Sequence, residues 1–231
     1  MTEAEWLACG EPFELSNELL RAPREVMSFR RRQLFGVACC RRAWHLLWGP
    51  ARDLVDGCEV RRPGQDLSRL RAYRAAVAEA PEADRTPSPA RLANHAVTHL
   101  LPGRHGHPPD NVALALAGER AGVLVPEPGD PAATPAWSAE YAAERAVQAD
   151  LFRDIFGNPF RPATLDRSWL TPTVVSPAEG IYAERAFDRL PILADALQDA
   201  GCDHADILTH LRGGGPHVRG CWAPDLILGK T

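Results

Sequence analysis

The sequence predicts an all-α fold, an irregular multi-helix bundle with a proline-rich middle segment. Apolar residues recur at the three- and four-residue spacing of a helix face, no alternating apolar run reaches strand length, and N-cap and stop residues bracket the periodic stretches again and again. With 231 residues, 45% of them hydrophobic and 24% charged, the chain can bury a sizeable core, which excludes wholesale disorder and collagen-like order. One helical domain over 1–231 is expected, carrying a mobile proline-rich insertion at 81–133.

The elements follow in chain order. Thr2 with Glu5 forms a capping box that starts a helix through Trp6 and Leu7. Asn17 to Leu20 suggests a short turn. The strongest pattern runs from Val26 to Trp48, where Leu34, Val37, Ala38, Trp44 and Leu47 share a face and Gly49-Pro50 is the expected stop. Trp44 is expected in the core, and this helix is expected to dock on the one after Thr134-Pro135. The zone from 81 to 135 holds ten of the 21 prolines. Two short helices fit inside it, Arg91 to Leu101 and, capped by Asp110, Asn111 to Arg120. Thr134-Pro135 opens a helix with an apolar stripe of Ala142, Val147, Leu151, Phe152 and Ile155, ended by Gly157. Ser176 with Glu179 reads as a second capping box, Pro191 starts the next helix, and Asp203 caps a last one that stops at Gly213-Gly214-Gly215. After that triple glycine, a tryptophan and three aliphatics, Trp222 and Leu226-Ile227-Leu228, predict a tail docked on the core.

Charge is unevenly spread. Residues 1–19 carry −5, 20–75 carry +8 and 76–231 carry −7. In an acidic chain such a basic block is expected to pair mainly inside the fold. Six cysteines, two of them adjacent at 39 and 40, suit free thiols in a reducing compartment better than a disulfide framework. No stretch has the apolar length of a membrane helix and the start has no leader-like pattern, so a cytoplasmic protein without membrane contact is expected.

The chemistry-bearing residues concentrate near the C-terminal end. Cys202, His210, His217 and Cys221 supply the thiolates and imidazoles that zinc prefers, although at spacings that match no standard motif. His95 and His99 stand four apart, followed by His105 and His107, but no glutamate follows His95 to act as a metalloprotease base. Cys39, Cys40 and His45 lack an orienting acid and read as core. Arg31 and Arg42, three turns apart, mark a basic stripe with Arg30 and Arg41 that is able to contact an anionic partner. The helix from Asp203 to Arg212 is too acidic to read a DNA groove, so nucleic acid is not the expected partner. His217, Arg219 and Trp222 are the expected contacts on the docked tail.

Four strings also resemble a family of bacterial proteins with no assigned activity: Met1 to Cys9, Ala38 to Leu47, Phe156 to Pro162 and Gly215 to Trp222. The resemblance covers about the first 50 residues and those from Glu144 onward. Leu193 to Gly201 is similar to the signature of a short helical domain that accompanies bacterial repeats, with Ala196 where that signature has tryptophan. Neither likeness implies a reaction. The expected function is therefore a non-catalytic helical module that binds another protein, with no cofactor. The alternative is a zinc-dependent enzyme of hydrolase type built on the terminal Cys/His cluster.

Overall fold

Among the residues that the computed structural model describes, 1–21, 26–60, 68–78, 88–100, 108–122 and 134–230, every regular element is a helix and no strand occurs. They make two apolar cores that meet at the end of one long helix, α8 (Pro135–Phe156).

The first core is built from the N-terminal helices. In α1 (Glu3–Ala8) the capping box forms as expected, with the Thr2 hydroxyl accepting from Glu5 N–H and the Glu5 carboxylate accepting from Thr2 N–H. Trp6 is fully buried and meets Phe152 and Phe160 edge-on. Next comes α2 (Pro12–Leu19), which buries Leu15 and Leu19. The central helix α3 (Phe29–Arg42) lies against α8, where Phe35 meets Phe152 edge to face at 5.1 Å, the docking expected from the two apolar stripes.

This helix is shorter than its pattern. Ser28 caps it, it ends at Arg42, and a single 3-10 turn at Trp44–Leu46 follows. Gly49-Pro50 opens α4 (Gly49–Glu59) instead of closing α3, because proline in the first turn loses no helical hydrogen bond. Trp44 is consequently only partly buried at the edge of the core, with the guanidinium of Arg41 4.6 Å from its ring centroid and Arg52 beyond it.

The middle zone supplies core helices. A short α5 (Ser68–Ala78) is followed by α6 (Pro89–Val97) and α7 (Pro108–Ala121). Ala93, Ala96, Val97, Val112, Ala115 and Leu116 are almost wholly buried. Residues 88–100 and 108–122 thus belong to the bundle, whereas the rest of the expected insertion, with His105 and His107, lies outside the described residues. Asp110 lies in the first turn of α7 and does not cap it. Its carboxylate pairs with Arg145.

Thr134 caps α8, and Gly157 ends it at φ 74°. The middle of its inward face is polar. Ala142 is exposed, while Glu144, Arg145 and Gln148 are buried, each with a partner: Arg42, Glu11 with Asp110, and the Pro109 carbonyl. The basic block is compensated here and at α4, where Arg41 and Arg185 converge on Glu59.

The second core packs α9 (Pro172–Glu184), α10 (Leu190–Asp199), α11 (Ala205–Arg212) and α12 (Trp222–Ile227). Thr171-Pro172 starts α9, so the expected capping box at Ser176 falls inside the helix. His204, not Asp203, occupies the N-cap of α11. The tail is docked, with Ala223 and Ile227 buried in this core.

Candidate metal centre

The C-terminal end of α8 carries Asp154, an awkward place for a carboxylate, since the exposed carbonyls of a helix's last turn make that end partly negative. The helix ends at Gly157 because its positive φ turns the chain out. The Trp222 ring packs against it, its nearest atom 3.4 Å from where a Cβ would stand, which is ordinary contact distance. This close approach brings the second core onto the last turn of α8.

Three side chains of the second core face Asp154. His210 projects from the last turn of α11, and His217 and Cys221 come from the segment between α11 and α12. The Asp154 Oδ1 lies 2.7 Å from His217 Nδ1 and 3.3 Å from His210 Nε2. The Cys221 Sγ lies 3.1 Å from His210 Nε2 and 3.7 Å from His217 Nδ1. All four donor atoms fall within 4.8 Å of one another. In a tetrahedral zinc site, bonds of about 2.0–2.3 Å give ligand-to-ligand edges of roughly 3.3–3.6 Å. Three of the four edges are close to that scale. The Asp154–His217 edge is a hydrogen bond and would widen by roughly 0.6 Å around an ion.

The surroundings orient these donors. His217 Nε2–H donates to the Gly213 carbonyl at 3.2 Å, which fixes that nitrogen as protonated and turns Nδ1 to the cluster. Asp154 Oδ2 accepts from Val218 N–H at 3.1 Å, which leaves Oδ1 for the cluster. Trp222 covers His210, with ring centroids 4.7 Å apart. Gly220, at φ 95°, lets the chain pass over Leu34 of α3, and Val218 reaches the first core.

The electrostatics follow from burial and pairing. Burial alone would raise Asp154, but hydrogen bonds and charge from His210 and His217 hold its carboxyl below the usual 3.8. Burial alone would lower His217, and Asp154 reverses this and raises it above 6.5. Cys221 is pushed well above the ordinary thiol value by burial, with Asp154 adding to it.

Of the four residues expected to form a metal set, three come together. Cys202 does not, because it packs as an apolar thiol in the second core. Asp154 takes the fourth position, and sequence reasoning missed it although an acid in a helix's last turn was the available signal. Arg42 of the expected basic stripe is engaged inside the fold, bidentate on buried Glu144 at 2.5 and 2.7 Å. Arg31 lies half-buried at the start of α3, and Arg219 lies beside Tyr182. His95 and His99 meet ring to ring at 5.1 Å. All six cysteines are free, and Cys39 and Cys40 are buried core thiols. No helix among the described residues is long and apolar enough to cross a membrane. No family model, no curated protein and no solved structure matches this chain.

Proposed function

We propose that the protein is a non-catalytic helical module whose C-terminal unit is clamped onto α8 by a zinc-type ion held by Asp154, His210, His217 and Cys221. The observation that carries this reading is the convergence of two imidazole nitrogens, one thiol and one carboxylate oxygen within 4.8 Å, two of the residues buried. Nitrogen and sulfur donors select zinc over magnesium or calcium. Four protein donors leave no open position, whereas zinc enzymes keep one for water or substrate. The hydrolase alternative therefore has less support than a structural ion, and the protein-binding role is retained. The test is metal analysis by mass spectrometry after expression in zinc-supplemented medium. The expected result is about one equivalent of zinc per chain, lost in His210→Ala and Cys221→Ser and kept in Cys202→Ser. Zinc below about a tenth of an equivalent in the unaltered protein, after mild purification without chelator, overturns the reading.

A further inference from the structure

Most arginines among the described residues end on a carboxylate, as Arg41 does on Glu59 and Arg42 on Glu144. Arg31, Arg219 and Lys230 form a different group. Arg31, in the first turn of α3, has its Nε sealed from water with no acceptor. Burial lowers its pKa, Asp225 offsets this only in part, and neighbouring Arg30 lowers it again. Arg219 gives one Nη to the Ala183 carbonyl at 2.9 Å and lays its guanidinium 5.3 Å from the Tyr182 ring centroid, while its own Nε is buried without a partner. The Lys230 ammonium stands 5.1 Å from the same ring. Arg30 donates to the Tyr182 hydroxyl at 2.6 Å and takes both oxygens of buried Asp225.

Arg30, Arg219 and Lys230 thus surround Tyr182, while Arg31 stands close enough to Asp225 to feel its charge, and both oxygens of that carboxylate are taken by Arg30. The positive end of the α3 dipole adds to the same field, since Arg30 and Arg31 occupy its first turn in place of the acids that normally stand there. Holding guanidinium groups half out of water without counter-ions is costly, and the group best matched to their planar forks is a tetrahedral oxyanion.

We propose that Arg219 and Lys230 beside Tyr182, together with Arg31 beside Asp225, bind a phosphate-type oxyanion, which gives the interaction module a partner chemistry. The proposal rests on the metal reading in one respect: Arg219 lies between His217 and Cys221, so the ion that fixes those two also fixes Arg219.

The test is calorimetric titration of the metal-loaded protein with inorganic phosphate and, separately, with a phosphoserine peptide and its unphosphorylated counterpart. Metal content is measured on the same samples. Binding of phosphate or phosphopeptide, weakened at least tenfold by Arg219→Gln and by Arg31→Gln but unchanged by Arg212→Gln, an exposed position at the end of α11, supports the site. Binding of both ligands points to a free oxyanion, and binding of the phosphopeptide alone to a modified protein partner. No binding of either, equal binding of the unphosphorylated peptide, or indifference to both arginine variants at full metal content overturns it. Oxyanion binding by a protein that holds no metal leaves this site standing and removes the clamp instead.

Discussion

Arg42 and Glu144 form an ion pair whose acidic member has no access to water, with Arg120, 3.7 Å away, as the other cation paired with it among the described residues. Removing Arg42 leaves that carboxylate largely uncompensated, so Arg42→Ala is expected to cost about 3 kcal/mol in urea denaturation, toward the low end for a broken buried pair because Arg120 remains. At the cluster, pH separates two states. Without metal, the raised pKa of His217 makes its pairing with Asp154 stabilising below about 6.5, and that contribution is lost as pH rises through the higher folded value. The depressed Asp154 contributes stability above 3.8, lost as pH falls through its lower folded value. Chelated protein is therefore expected to lose stability as pH rises above 6.5. Metal-loaded protein is expected to gain it, because the ligands must shed protons to bind. Urea midpoints across that range check both signs, and parallel curves would count against the metal. Of the cluster, His210, His217 and Cys221 were legible in the sequence, whereas Asp154 and the buried polar residues of α8 were not. Glu144, Arg145 and Gln148 are polar letters on a helix and read as its wet face, and only the positions of Arg42, Glu11 and Pro109, far away in sequence, bring them inside.

At the level of elements, the two tryptophans of the first core differ in depth. Trp6 is fully buried between aromatic rings, while Trp44 lies at the margin beneath two arginines. Trp6→Ala is expected to cost about 3–5 kcal/mol and Trp44→Ala about 1–2, compared by thermal or urea unfolding. Equal costs would contradict the end of α3 at Arg42. Gly220→Ala tests the crossing over α3. It combines a left-handed backbone with a Cβ only 2.9 Å from a terminal carbon of Leu34. A loss of about 2 kcal/mol is expected, together with weaker zinc retention in a chelator competition, since Gly220 adjoins Cys221. The helices with strong local punctuation were legible: Thr2 with Glu5, and Thr134-Pro135 with Gly157. The misread boundaries share a cause. Gly49-Pro50 and Ser176-Pro177 each allow a start or a stop by local chemistry, and packing decides which.

For the molecule as a whole, the two cores touch where the proposed ion sits, so its removal should act unevenly. Hydrogen exchange after chelation is expected to speed up across α11 and α12 while α3 and the first half of α8 keep their protection, because the first core retains its aromatic packing around Phe152. Uniform acceleration, or none, would mean that the junction is not held by metal. The all-helical class was legible from periodicity alone. The division into two cores was not, because both halves use the same residue types and nothing local marks where one apolar cluster hands over to the other. The middle zone misled for a related reason. Its prolines suggested an insertion at 81–133, but those among the described residues of that stretch, Pro89, Pro108 and Pro109, stand in the first turns of α6 and α7, whose alanines fill the bundle.

The four donors are unevenly placed along the chain. His210 and Cys221 are 11 residues apart, whereas His217 and Asp154 are 63 apart. Closing the longer loop costs about 1.5 kcal/mol more in chain entropy than closing the shorter one. An ion captured by the proposed centre would thus be taken first by the short stretch from His210 to Cys221, a three-ligand hook that only then finds its carboxylate. During synthesis Asp154 precedes the hook, which can close on it only once Cys221 has been added. The clamp would then mark that synthesis has passed Cys221, since a chain cut short before it carries the acid but never the hook.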